Sequence, residues 1–146
     1  MDDPYDLHRF VAAQEPVMAR VHAELAAGAK TSHWMWFVFP QLRALGRSST
    51  ARHYGIADRA EATAYAAHPV LGPRLVDCAR LVLGVQGKSA HAIFGSPDDL
   101  KLCSCMTLFE AVAPAERTFA DVLARYYGGR RDDRTLELLG PSVPAA

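Results

Sequence analysis

Apolar positions recur along this chain at three- and four-residue intervals, the spacing that lines up side chains on one face of an α-helix. Leu7, Phe10 and Val11 make one such stripe within residues 4–14, and Val17, Val21 and Leu25 make the next, which Gly28 should end. Pro16 suits the first turn of that second helix, where its missing N–H has no intrahelical partner to lose. Asp58 with Glu61 is a capping-box pattern opening an alanine-rich helix to Ala67, stopped by His68-Pro69. Pro73 is expected to open a helix bearing Leu75, Cys78, Ala79, Val82 and Leu83, with Gly84 as terminator. Ser89 to Phe94 reads as a short turn. Ser96 as cap, Pro97 in the first position and Asp98-Asp99 at the positive end of the dipole predict a helix to about Ala113. Phe119, Val122, Leu123, Tyr126 and Tyr127 share a face before Gly128-Gly129, and Asp133 is placed to cap a last short helix ending at Gly140. The expectation is one all-α domain over residues 4–140, with a frayed tail at 141–146.

One segment breaks this rhythm. Residues 33–41, His-Trp-Met-Trp-Phe-Val-Phe-Pro-Gln, hold both tryptophans and two of the six phenylalanines within six positions. A run this short is either a buried strand or a short buried helix, and periodicity does not separate the two. The helical surroundings favour a short helix over 33–39, ended as Pro40 forces Phe39 towards extended backbone. Such a cluster is either core or the wall of a pocket, since aromatic rings carry the largest burial energy and an indole N–H needs a partner.

Composition narrows the setting. A chain of 146 residues fits one domain, and 50% hydrophobic with 22% charged residues is globular. Sixteen basic and sixteen acidic residues give a neutral total, so no dedicated nucleic-acid surface is expected. Arg43, Arg47 and Arg52 fall close together, as do Arg130, Arg131 and Arg134, which leaves room for a local patch but reads first as solvated surface. The acidic N-terminus lacks a secretory pattern, no apolar run approaches membrane-span length, and three cysteines cannot all pair within the chain. A cytoplasmic, membrane-free setting is the expectation; oligomeric state stays open.

Several motifs fail on spacing. Gly84-Val-Gln-Gly-Lys-Ser89 has two residues before Gly-Lys-Ser where a phosphate-binding loop needs four, and it follows a helix rather than a strand. Cys103 and Cys105 point to roughly opposite sides of a helix, so they hold no common metal, and neither a metal nor a cofactor is expected. Gly46-Arg-Ser-Ser-Thr50 lacks the second glycine of a nucleophile elbow.

Two segments remain as site candidates. In the helix from Pro97, Asp98, Lys101, Ser104 and Thr107 form a polar stripe at three-residue spacing on a helix otherwise apolar on several sides. Their plain reading is capping, solvent contact and hydroxyls bonded one turn back; their other reading is a ligand-facing stripe. In the aromatic run, His33 and Gln41 bracket Trp34, Trp36 and Phe37, the pattern of apolar walls with a few placed polar groups. Flat rings stack on tryptophan, and Lys30 or Arg43 could meet a phosphate or carboxylate.

The string Lys30…Ser32-His33-Trp34-Met35-Trp36-Phe37…Phe39-Pro40-Gln41, then Tyr54-Gly55-Ile56 and His68-Pro69-Val70-Leu71-Gly72, resembles domain-of-unknown-function family 1810. Ile93-Phe94-Gly95-Ser96-Pro97-Asp98-Asp99-Leu100-Lys101-Leu102 and Met106-Thr107-Leu108-Phe109 are similar to the same family, over about Asp3 to Leu139. The resemblance implies a mostly helical, largely bacterial, intracellular domain, and it brings no established activity. Cys105 departs from the more usual serine and Thr31 from a common basic residue. Members sometimes carry the label calpastatin, but calpastatins resemble long disordered inhibitors, and globular composition makes protease inhibition of that kind unexpected here.

The leading expectation is a small-molecule-binding domain, its ligand nucleotide-like or phosphorylated, with hydrolysis as a further step. The walls would be Trp34, Trp36 and Phe37, and the polar contacts Gln41, Ser104 and Thr107; His33 or Asp98 would serve as acid or base and Lys101 as anion stabiliser. This requires segments 33–41 and 97–107 to face each other. The alternative is a noncatalytic protein–protein interaction module with exposed aromatics, and self-association through Tyr126-Tyr127 is a third possibility.

Overall fold

The computed structural model describes residues 3–140. Among these residues there are ten α-helices and no strand, so the chain is all-α. They are α1 (His8–Gln14), α2 (Met18–Ala27), α3 (Met35–Val38), α4 (Ser49–His53), α5 (Arg59–Ala67), α6 (Leu71–Gly84), α7 (Ala90–Phe94), α8 (Asp98–Val112), α9 (Thr118–Tyr127) and α10 (Asp133–Leu139). The expected frayed tail at 141–146 lies outside the described residues.

Helix α8 is the hub, packed by α5, α7, α9 and α10, while α6 joins α2, α5 and α9 around it. Its sequence dictates this: Leu102, Cys105, Met106, Leu108 and Phe109 are all fully buried, and no single face of α8 could hold them. Helices α2, α6 and α9, by contrast, bury one stripe each, with Val21 and Leu25, Leu75 and Val82, and Val122 and Leu123 at its centre. Gly28 and Gly128 end α2 and α9 in the left-handed conformation, as glycine beyond a helix does.

The helix starts differ from expectation in detail. Ser96 does not cap α8, because the Asp99 N–H it would reach is taken by the Gly95 carbonyl, and Pro97 is the cap residue rather than the first helical one. Asp132, not Asp133, caps α10: its carboxylate accepts from the Thr135 N–H and hydroxyl, leaving Asp133 in the first turn. Pro16 lies in the turn before α2, and Pro73 is the third residue of α6, both places where no backbone donor is needed. The capping box of α5 is half formed. Asp58 accepts from the Glu61 N–H at 2.9 Å, but Glu61 reaches back to the Ala57 N–H rather than to Asp58. Ser89–Phe94 is not merely a turn; Ser89 caps the short helix α7.

Between α3 and α5 the chain makes a closed loop. Arg43 N–H donates to the Ile56 carbonyl at 2.7 Å and Ile56 N–H to the Gln41 carbonyl at 2.9 Å, a two-bond parallel bridge across the loop's base. A Cβ on Gly55 would sit 2.4 Å from Arg43 Cα, so only glycine allows the two backbones this close. The loop carries α4, which the sequence reading did not anticipate, capped by Ser48 on the Ala51 N–H at 3.1 Å.

Candidate functional site

The aromatic run is a short helix, and it divides its two indoles. Trp34 is the residue before α3 and is 1% exposed; its Nε1 donates to Glu24 Oε1 at 3.0 Å. Trp34 is therefore core. Trp36, further round the helix, is partly buried and presents its ring to two grooves, one on each side.

Glu24 is the organiser of this region. Beside the indole, it accepts from the Thr31 N–H at 2.7 Å, the Ser32 N–H at 3.0 Å and the Ser32 hydroxyl at 2.6 Å. Burial pushes its carboxyl pKa up, but these donors outweigh burial and hold it down at about 2. The buried charge fixes the turn leading into α3, and with it the direction of Trp36. Gln14 fixes the other end of α3, donating to the Phe37 carbonyl at 2.7 Å.

The segments 33–41 and 97–107 do meet, at their near ends. The Lys101 ammonium lies 5.2 Å from the Trp36 ring centroid, within cation–π range. Both line a groove of about 380 Å³ with Gln41, Arg47, Ser48 and Pro97. Asp98 sits beside it with one oxygen 2.8 Å from Lys30 Nζ and the other 3.6 Å from Lys101 Nζ. Two cations thus share one carboxylate, which leaves local positive charge and ties α8 to the turn before α3. Lys30 also lies 5.0 Å from the Trp34 ring, so it is a structural cation beneath the site.

His33 is exposed on the other side of Trp36, in a groove of about 670 Å³ lined also by Phe37, Thr50, His53 and Tyr54. Phe37 packs against Tyr54 at 5.3 Å between centroids and so forms part of this second wall. Trp36, Phe37, Gln41, His33 and Lys101 are therefore gathered around one edge of the domain.

Ser104 and Thr107 are not with them. The Ser104 hydroxyl shares its one proton between Asp132 at 3.0 Å and the Leu100 carbonyl at 3.2 Å, while the Thr107 hydroxyl donates to the Cys103 carbonyl and accepts from the Asp132 N–H at 2.9 Å. A helix turns roughly 100° per residue, so nine residues after Asp98 the stripe has swung about 180° round the helix. Its start faces Trp36 and its end faces α10.

Residues 4–139 match the family model described as Protein of unknown function (DUF1810). The chain belongs to that family. A solved structure is similar throughout: the conserved hypothetical protein Rv1873 from Mycobacterium tuberculosis, 57% identical, with a TM-score of 0.94 over 96% of this chain and 100% of that one. No curated protein matches the chain.

These findings give the fold and the family, and the chemistry rests on the residues. Among the described residues, no group of three or more His, Cys, Asp or Glu side chains could hold a metal ion, and no helix is long and apolar enough to cross a membrane. The three thiols are free. Burial pushes the Cys78 thiol up to about 12 and Cys105 well above its ordinary range, which leaves neither as a thiolate nucleophile. A separate cavity of about 370 Å³ between α5, α6 and α9 has Leu75, Val76 and Phe119 in its walls. Its rim charges Arg80 and Glu116 face each other at 3.8 Å, and no aromatic ring–cation pair lines it.

The sequence reading missed Glu24, Gln14 and Arg9. Arg9 makes a buried ion pair with Glu61 at 2.7 Å and donates to the His53 and Gly55 carbonyls, holding the α4 loop to α1 and α5. A signal existed for two of them: Gln14 is four residues after Phe10 and Glu24 three after Val21, both on otherwise apolar stripes.

Proposed function

We propose that the groove between Trp36 and Lys101 binds a small anionic ligand carrying a flat ring, a nucleotide-like or otherwise phosphorylated aromatic molecule. The observation that carries this reading is the Lys101 ammonium held over a partly buried Trp36 ring in one groove with Gln41. The ring of the ligand stacks on the indole, Lys101 and Arg47 meet its anionic group, and the Gln41 amide reads a polar edge. The volume lies within the ordinary range for small-molecule sites. An interaction module would favour exposed rings on a flat face; here one indole is core and the other lines a mostly apolar groove that Gln41, Arg47, Ser48 and Lys101 also line.

The reading is one of binding. Asp98 has an ammonium group at each oxygen, so it positions Lys101 rather than serving as a free base, and hydrolysis finds support only in exposed His33 across the indole. An intracellular setting accords with three free thiols and belongs to the same proposal.

A thermal-shift screen of nucleotides and sugar phosphates, followed by calorimetry, tests it. A ligand at a hundred times its Kd stabilises the fold by about 2.7 kcal/mol, a Tm rise of roughly 5–10 °C for a domain of this size. Lys101→Ala and Trp36→Ala should each weaken binding about tenfold or more. A ligand bound equally well by both variants would place the site elsewhere, and a screen with no response would favour the interaction module.

A further inference from the structure

We infer that the Trp36 groove is one end of a longer track that binds single-stranded nucleic acid, and that a groove lined by Arg43 and Arg52 is its second phosphate-binding end. The inference rests on the reading of the Trp36 groove above and extends it to a ligand class. Three grooves surround α4. The Trp36–Lys101 groove and the His33 groove share the Trp36 ring as their common wall. The His33 groove in turn shares Ser49 and His53 with a third, of about 600 Å³, lined by Tyr5, Arg9, Arg43 and Arg52. The path over the molecule is therefore continuous.

Its charge is one-sided on a chain of zero formal net charge. Arg9, Arg43, Arg47, Arg52 and Lys101 line the track; the carboxylates in its lining are Asp6 and Glu61, and Asp98 stands beside it, 3.6 Å from Lys101 and shared with Lys30. Glu61 is occupied by Arg9. The two arginine groups of the sequence differ in the same way. Arg131 is bound by both oxygens of Glu110 and Arg134 lies 3.6 Å from Glu137, so two of that group's three arginines are matched within the fold and only Arg130 makes no ion pair among the described residues. Arg43, Arg47 and Arg52 make no ion pair among the described residues. The neutral total of the sequence conceals an unmatched cationic face.

Rings stand between the cations. Trp36 lies under Lys101, and in the middle groove Tyr54 is braced by Phe37 at 5.3 Å and by His53 at 4.6 Å. Cations that follow a phosphate backbone, alternating with aromatic platforms for unstacked bases, are what a single strand requires. A duplex keeps its bases stacked inside and leaves such rings unused. A mononucleotide fills one groove and leaves Arg43 and Arg52 without a partner.

The test measures fluorescence anisotropy of the full chain with fluorescein-labelled oligo-dT and oligo-rU of about twelve residues, a length within the range such grooves span. The competitors are a nucleoside monophosphate, a duplex of the same length and polyglutamate. The oligonucleotide should bind at least about tenfold more tightly than the monophosphate. With three phosphates neutralised, its affinity should fall with salt at a log–log slope of about −2. The Arg43→Glu/Arg52→Glu double variant should lose about tenfold in oligonucleotide affinity and keep monophosphate affinity within about twofold, whereas Trp36→Ala weakens both. Arg134→Glu, at an exposed arginine away from the track, should change neither. Monophosphate binding without an oligonucleotide advantage would overturn the track and leave the small-ligand site standing. No binding of either would overturn both. Equal competition by duplex or polyglutamate, or an unaffected double variant, would also overturn the track; the ratio of oligo-rU to oligo-dT affinity identifies the preferred sugar.

Discussion

Replacing Glu24 by glutamine tests the link between a buried carboxylate and the placement of the aromatic wall. Glu24 is 8% exposed and receives four hydrogen bonds, from Thr31, Ser32 twice and Trp34. Those donors hold its pKa at about 2 against an ordinary 4.5, and at roughly 1.4 kcal/mol per pKa unit the difference is worth about 3 kcal/mol of folding stability. A carboxyl whose pKa is lowered by folding stabilises above its unfolded value. That contribution is complete above about pH 5 and fades as pH falls from 4.5 towards 2. Glutamine keeps the shape and the carbonyl acceptor but loses the charge and places an NH2 among donors. Urea unfolding of wild type and Glu24→Gln should therefore differ by about 2–3 kcal/mol at pH 7, with the gap narrowing steadily below pH 4.5. A gap that stays constant from pH 7 to pH 3 would refute the charged carboxylate as its source, and no gap at pH 7 would refute the network's role altogether. If the network also aims Trp36, ligand affinity at pH 7 falls in the variant even below its unfolding temperature.

Two further outcomes are expected. Gly55→Ala forces the loop base apart, because its Cβ would meet backbone at 2.4 Å rather than a flexible side-chain end, and the loss of about 1–3 kcal/mol should lower Tm by roughly 3–10 °C; Gly84→Ala, with nothing within 4 Å of the new Cβ, should be neutral or slightly stabilising in the same scan. A thiol reagent should modify at most Cys103 in the native protein and all three cysteines after unfolding, since Cys78 and Cys105 are 0% exposed; rapid native modification of more than one thiol would contradict the packing around α8.

The longer helices were legible because several of them state their own limits. Asp58 caps α5, Gly28 and Gly128 end α2 and α9, and the stripes of α2, α6 and α9 fall where their periodicity puts them. The starts were less legible where tertiary bonds compete with local ones: the Gly95 carbonyl displaces Ser96 as the partner of the Asp99 N–H, and Ser104 together with Thr135 recruits Asp132. Helix α4 escaped notice because one turn buries almost nothing; of its five residues only Ala51 is buried. It exists because Ser48 caps it and the loop base clamps it. Spacing announced the polar stripe on α8 but not its division, which depends on where the rotating helix meets its neighbours.

The division of the two tryptophans explains how such a small domain keeps an aromatic ring and a cation available at its surface. An exposed indole gains free energy by collapsing onto any apolar neighbour, and a lysine by swinging to the nearest carboxylate. Here both routes are closed by buried polar bonds. Glu24 fastens the turn before α3 and holds Trp34 inside, while Gln14 fastens the Phe37 carbonyl behind it, so the ring of Trp36 has no freedom to follow Trp34 into the core. Asp98 is divided between Lys30 and Lys101, and Lys30, whose side chain is 7% exposed against 23% for Lys101, holds the nearer oxygen. The weaker, longer contact leaves Lys101 over the indole with charge to spare for an anion. Removing Lys30 would then draw Lys101 onto Asp98 and away from Trp36. On this argument Lys30→Met weakens anion binding although Lys30 itself lines neither Trp36 groove, and calorimetry showing unchanged affinity in a folded Lys30→Met variant would refute it.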